Sequence, residues 1–344
     1  MSRERFGDAL EERAAELLPE AVHRYVRQGS AAGRSTAEAT AAWDRLRFLP
    51  HVLRDVSAVD TSTTLLGTSV RAPVGIAPTT LQRAADEDGE VAMARGAAAA
   101  GSLMVLSSNA GSTFADVAAT GAAWWLQAYV TADRRHSRPL LEAAASAGAR
   151  AVVLTVDTPV VATKHDGDGP TVWEVADPSW VRANFAAGTG EEKATDLGPG
   201  DIGWLSRVTG LPVVVKGVLR ADDARVAVDA GAAAVWVSNH GGRQLDGAAA
   251  TADCLAAVAQ AVGGHAEVYV DGGLRTGTHL LGALALGARA AFLGRPPVYA
   301  LAVGGSAGVR QLLEELSAEL AEALALAGCA SPGRVGPDLL APGP

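Results

Sequence analysis

The sequence predicts a (β/α)8 barrel preceded by a helical segment, and three observations carry that prediction. Between residues 74 and 293, eight short apolar runs alternate with helical segments. The runs are continuously apolar, as parallel strands covered on both faces are. The residues just beyond each run are polar, so every strand delivers hydrogen-bonding groups to one mouth, where barrels of this class build their sites. The competing doubly wound sheet calls for Gly-x-Gly-x-x-Gly after an early strand. None follows an early strand, and Gly-Leu-Arg-Thr-Gly at 273–277 is a poor substitute.

The elements follow in order. Residues 4–18 carry helical spacing, and Pro19 opens a second helix that ends near Gly29 and holds Tyr25. Residues 30–72 read as a connecting arm with Pro50 and threonine-rich, strand-like pieces, so 1–72 pack on the barrel. The eight runs are 74–77, 103–106, 124–130, 151–156, 213–215, 234–237, 268–270 and 290–293. Helical segments at 89–100, 139–147, 222–230, 251–262 and 278–286 lie between them, most followed by the glycine that commonly ends a helix. The connection after the fourth strand, 158–202, is far longer than a barrel needs. It is rich in Gly, Asp, Glu and Thr with scattered Trp173 and Trp180, the pattern of a lid. A last helix at 309–327 closes the wall. The catalytic barrel is thus expected at 73–330 and a C-terminal tail at 331–344.

Composition narrows the function. A chain of 344 residues, 49% hydrophobic with 39 glycines, is globular, and one large barrel accounts for its length. A net charge of -9 argues against a nucleic-acid surface, which needs clustered Lys and Arg. Cys254 and Cys329 stand far apart with no metal spacing, which suits a reduced, cytoplasmic protein without a metal. Charges occupy the N-terminus where a secretory signal needs an apolar core, and no run approaches the ~18 apolar residues of a membrane helix. No membrane partner is expected.

The strand ends supply the chemistry. They read Pro78-Thr79-Thr80, Ser107-Ser108-Asn109, Gln127 with Tyr129, Thr155 with Asp157, Lys216, Ser238 leading to His240 and Arg243, Asp271-Gly272-Gly273, and Gly294-Arg295. A His exchanges protons near neutral pH and an Arg grips a carboxylate through two parallel hydrogen bonds, so His240 and Arg243 suggest chemistry on a small carboxylic acid. Alone, His-x-x-Arg is more often a surface turn; the converging strand ends decide against that. The glycine-rich turns after strands seven and eight, with Arg275, Arg295 and Pro296 opening a helix, form a phosphate site. Lys216 has three readings: a Schiff-base lysine, a cation facing a ring that gains negative charge, or half of an ion pair. Asp157 either pairs with Lys216 or holds His240.

Ser-Asn-His-Gly-Gly-Arg-Gln-Leu-Asp at 238–246, Leu-Thr-Val-Asp-Thr-Pro at 154–159, Val-Lys-Gly-Val at 215–218 and Val-Asp-Gly-Gly at 270–273 carry a specific resemblance. From about Leu18 to Ala330 the chain resembles the FMN-dependent (S)-2-hydroxy acid oxidases and dehydrogenases, the group of glycolate oxidase, lactate oxidase and mandelate dehydrogenase. The resemblance implies that His240 takes a proton from the substrate while Asp157 steadies the imidazole. It implies that Arg243 binds the substrate carboxylate and that Tyr25 and Tyr129 aim hydroxyls at carboxylate or α-hydroxyl. Lys216 is implied at the flavin N1–O2 edge, with Ser107, Gln127 and Thr155 on the ring, Pro78–Thr80 behind it and Ser238 beside it. Asp271, Gly272, Gly273, Arg275, Gly294 and Arg295 are implied to hold the ribityl phosphate. The product is a 2-keto acid, with O2 as acceptor in an oxidase and a quinone or other carrier in a dehydrogenase. A homo-oligomer, tetramer or octamer, is implied as well.

Three positions depart from the family pattern. Lys164 stands where the loop after strand four usually has a second Arg, and a point charge does not replace a bidentate fork. Thr80 replaces a usual Ala or Gly beside the flavin. Asn109 replaces the aromatic residue that lines the pocket in glycolate oxidase. The lost ring predicts room for an aryl substrate of the mandelate or 4-hydroxymandelate kind. The polar, charged composition of 158–202 lacks the apolar insert of membrane-bound relatives and favours a soluble oxidase over a quinone-linked dehydrogenase. A catalytically silent flavin-binding protein and a Schiff-base lyase acting through Lys216 are the remaining alternatives.

Overall fold

The computed structural model describes residues 5–165, 169–185 and 192–342. Eight strands close into an all-parallel barrel in chain order. They are β1 (Val74–Ile76), β2 (Leu103–Ser107), β3 (Ala123–Ala128), β4 (Val152–Thr155), β5 (Val213–Val218), β6 (Ala234–Val237), β7 (Glu267–Val270) and β8 (Ala290–Leu293). β8 returns to β1 with Ala291 opposite Val74. The closed, parallel, helix-covered sheet is the (β/α)8 barrel that the apolar runs predicted.

Alternation along each strand divides the apolar residues into two cores. On β3, Trp124 packs outward against Phe114, while Trp125 points into the barrel. There it meets Tyr269 of β7 and Phe292 of β8, and Trp236 of β6 completes the group, with ring centroids 4.1 to 6.1 Å apart. Each such ring buries roughly 150–250 Å², so four of them fill most of the interior. A hairpin, Thr63–Leu65 with Thr68–Val70, supplies Leu65 and Val70 to the same cluster. The Leu66 amide donates to Glu267 Oε1 at the start of β7 (3.2 Å). The hairpin therefore closes the end of the barrel opposite the site.

Four segments differ from expectation. The arm contains a further helix. After α1 (Leu10–Leu17) and α2 (Glu20–Arg27), α3 runs over Arg34–Asp44 from a left-handed Gly33. Its buried face is only Ser35, Ala39, Ala42 and Trp43, too sparse an apolar stripe to read. The long connection ends sooner than 202, because Pro199 starts a helix, Pro199–Thr209, at its first turn. The last helix begins at Arg295, not 309, and runs to Leu326 with a break at Gly304 and Gly305. The C-terminal segment is no loose tail: Leu339 is fully buried, and the amides of Leu49 and Ala341 pair with Leu339 O (2.7 Å) and Arg47 O (2.9 Å). Among the described residues, no helix is long and apolar enough to cross a membrane.

Candidate active site

A cavity of about 440 Å³ opens at the C-terminal ends of the strands. At its centre the turn after β6 brings His240 to Asp157, the residue but one after β4. His240 Nδ1 lies 3.0 Å from Asp157 Oδ1, and Thr158 Oγ1 donates to the same oxygen at 3.2 Å. Two backbone features make this approach possible. His240 is held at φ 58, a rare conformation for a side chain of its size, while its amide donates to Ser238 Oγ (3.1 Å). Gly217 on β5 lies beside Asp157, where a Cβ would sit 2.6 Å from the aspartate side chain. Burial pushes the Asp157 carboxyl up, but the charge and hydrogen bond of His240, the Lys216 ammonium and Thr158 outweigh it. Its net shift is downward. Asp157 is therefore an anion fixed behind the imidazole. Of its two open roles, the geometry gives it the one with His240.

Lys216 has a different partner. Its ammonium, 4% exposed, contacts Asp271 Oδ2 (3.0 Å) from the end of β7 and donates to Ser238 Oγ (2.8 Å). Asp271, expected at a phosphate, instead turns its carboxylate to this lysine, because a buried ammonium is far costlier unpaired. Beside it, three strands carry a row of neutral groups. Ser107 Oγ donates to Gln127 Oε1 (3.3 Å), and Gln127 Nε2 donates to Thr155 Oγ1 (3.0 Å). Pro78, Thr79 and Thr80 line the adjoining wall, with Thr80 Oγ1 donating to Asn109 O (3.1 Å).

The end of α2 organises two arginines. Arg243 Nη1 donates to Tyr25 O (2.7 Å) and Gln28 O (2.9 Å), and its guanidinium lies 4.7 Å over the Tyr25 ring. Arg295 donates to Val26 O (3.0 Å), Gln28 O (3.2 Å) and Gly241 O (3.0 Å). The last carbonyls of a helix attract cations, so α2 anchors both side chains. Burial, then the neighbouring Arg243 charge, pushes Arg295 down to about 10. Arg275 lines the same end of the cavity and is likewise lowered, chiefly by burial.

Between these cations the backbone of Gly272, Gly273 and Gly294 is bare. Gly273 is left-handed (φ 83), and a Cβ on it would stand 2.3 Å from Ala39 O of α3. Trp43 of α3 donates its indole N–H to Gly272 O (2.7 Å), and Thr251 Oγ1 holds Asp271 O (2.6 Å). The helix absent from the sequence reading thus braces the glycine turn.

The structure brings nearly every expected residue to one cavity; Asp157 and Ser238 sit just behind its wall. Lys164 lines it with its ammonium on Ala162 O (3.1 Å), and Tyr129 lines it with its hydroxyl raised by burial and by Asp157. Sequence reasoning missed Lys193, whose ammonium lies 3.7 Å over the Tyr129 ring. No motif surrounds it, and only its place in a long polar connection marked it. Trp173, noted there as a scattered aromatic, stands edge-on to Tyr25 with ring centroids 5.7 Å apart.

The donor set suits a flavin nucleotide. Asp271 Oδ1 is buried with no hydrogen-bond partner among the described residues, bare glycine backbone lies between two arginines, and neutral hydrogen-bonding groups face the cavity centre. Comparison agrees. A family model described as FMN-dependent dehydrogenase matches residues 14–342. The human 2-hydroxyacid oxidase 1 is 41% identical over 340 residues, covering 93% of this chain and 91% of that protein. Glycolate oxidase 3 of Arabidopsis thaliana is 41% identical over 336 residues, covering 92% and 90%. A mandelate oxidase structure with (S)-4-hydroxymandelic acid superposes at TM-score 0.89 with 36% identity, covering 97% of this chain and 98% of that one.

Proposed function

Because the chain belongs to the FMN-dependent dehydrogenase family, we propose that it oxidises an (S)-2-hydroxy acid with an aryl side chain, of the mandelate or 4-hydroxymandelate kind, to the 2-keto acid. We propose dioxygen as the final acceptor, released as hydrogen peroxide. The observation that carries the reading is the His240–Asp157 pair beside Arg243 on the floor of one cavity. FMN, when bound, accepts the two electrons that leave with the substrate α-hydrogen. Gly272, Gly273, Arg275, Gly294 and Arg295 would hold its phosphate, and Lys216 with the Ser107–Gln127–Thr155 row would face its ring.

The chain's own residues do the rest. With Nδ1 turned to Asp157, His240 keeps Nε2 to take the hydroxyl proton, and the fixed carboxylate stabilises the imidazolium that results. Among the described residues both hydrogen bonds of Arg243 leave from Nη1, so its Nη2 and Nε edge can receive the substrate carboxylate. Tyr25 and Tyr129 offer hydroxyls to the carboxylate or the α-hydroxyl. The aryl reading rests on Asn109, which carries no ring and lines the cavity together with Tyr25, Tyr129 and Trp173.

The test is an anaerobic titration of the holoenzyme with (S)-mandelate, then (S)-lactate, followed by air. Bleaching of the flavin band near ~450 nm by mandelate, with rapid return of colour in air, is the expected result. Bleaching by lactate alone overturns the aryl reading, and slow return of colour overturns the oxidase reading.

A further inference from the structure

Asn109, Tyr129, Trp173 and Lys193 belong to two cavities at once: the main one and a smaller side cavity of about 240 Å³. The side cavity is lined further by Thr131, Val181, Arg182 and Phe185, and His240 is not part of its lining. Its entrance is aromatic on two sides and carries one ammonium. Lys193 is not a mobile surface charge there. Its backbone pairs with Thr131, Ala132 N donates to Glu192 O (3.0 Å), and Ala194 N donates to Val130 O (2.8 Å). Three successive residues are thus laced to the segment that follows β3.

Among the described residues no carboxylate lies in ion-pair contact with Lys193. Burial works against its charge, with Asp157 opposing that shift and Lys164 adding to it. A desolvated ammonium on a rigid backbone, facing an open cavity, is poised for an anion.

We propose that Lys193 is a specificity-determining residue that binds a second anionic group, a carboxylate, at the far end of the substrate side chain. The preferred substrate is then an (S)-2-hydroxy acid carrying a distal carboxylate, its α-carboxylate on Arg243 and its side chain passing Asn109. This rests on the 2-hydroxy acid reading above and narrows its substrate class.

The experiment compares matched acids on the holoenzyme: (S)-mandelate with (S)-4-carboxymandelate, and (S)-2-hydroxybutyrate with (S)-2-hydroxyglutarate. In each pair the readout is the ratio of kcat/KM values, carboxylate-bearing over plain. The native chain should favour the carboxylate-bearing member. K193M and K193Q should each lower the ratio at least about tenfold, as expected for a lost charged hydrogen bond. K193R should hold it within about threefold of the native value.

Dissociation constants of the matching 2-keto acids, read from perturbation of the flavin band, should show the same loss without turnover. A ratio unchanged in both variants overturns the proposal. So does an equal rise in KM for all four acids, which would place Lys193 on the α-carboxylate instead. If only the aliphatic pair is oxidised, the aryl reading fails while the aliphatic ratio still decides the role of Lys193.

Discussion

One wall of the cavity is made by strand ends, another by the connection after β4, and they hold charge differently. On the strand wall Lys216 is paired with Asp271 and His240 with Asp157, each at 3.0 Å, while Arg243 and Arg295 are held by backbone carbonyls. Those pairs span β5 to β7 and β6 to β4, so the barrel itself sets their spacing. On the connection wall, Lys193 lies over a ring and the Lys164 ammonium donates to a backbone carbonyl. The first arrangement preorganises a reaction. On the second, no carboxylate among the described residues is in ion-pair contact with Lys193. If His240 is the base and Lys193 the selector, chemistry sits on the rigid scaffold and selectivity on the added segment.

The largest expected effect tests the strand wall. H240A should keep FMN and lose substrate-driven reduction by about 10²–10⁴-fold, the contribution of a positioned base; anaerobic stopped-flow measures it. Reduction at the native rate would remove His240 from the proton step. R243K comes next. A lysine cannot make the fork, and it also abandons the Tyr25 and Gln28 carbonyls, so substrate binding should weaken by about 1.5–3 kcal/mol. Saturation of the reductive rate at the native concentration would place the carboxylate elsewhere.

The same division governs how much could be read from the sequence. The barrel was legible because parallel strands write themselves as continuous apolar runs, and 238–246 names its chemistry in nine adjacent residues. The identity of partners was not. Asp157 and Asp271 both end strands near Lys216, and only coordinates show which one turns to it. Lys193 was illegible for another reason: its placement comes from a backbone bridge to Thr131, across a polar stretch without periodicity. Helix α3 failed as a pattern because tertiary contacts at Ala39 and Trp43, rather than an apolar stripe, hold it.

Helix α3 permits a sharper test of whether the scaffold extends beyond the strands. W43F removes the indole donor from Gly272 O and leaves that carbonyl only the longer Thr251 contact at 3.3 Å. The loss should be about 1 kcal/mol, appearing as a several-fold rise in the FMN dissociation constant on reconstituting apoprotein. A lower Tm with unchanged FMN affinity would confine α3 to a packing role.

The smallest effect concerns Glu90, a fully buried carboxyl on the helix Gly89–Ala99 that braces the loop carrying Asn109. It accepts from Gly111 N (3.2 Å) and Ser112 Oγ (2.9 Å). Burial pushes its pKa up, and the backbone and Ser112 hydrogen bonds only partly oppose that. A carboxyl raised on folding favours the native state fully below its unfolded value, about 4.3, and loses that contribution as pH rises through the folded value. At neutral pH it is therefore a burden that the neutral amide of E90Q sheds while keeping an acceptor for Gly111 or Ser112. E90Q should match or exceed the native chain by up to about 1 kcal/mol at pH 7–8, with the difference closing below pH 4, as measured by urea unfolding across that range. A loss at pH 7 instead would mean that the loop is held by the anion. Asn109 would then be braced by a buried charge as His240 is, and the boundary between the two walls would have to be redrawn to include it.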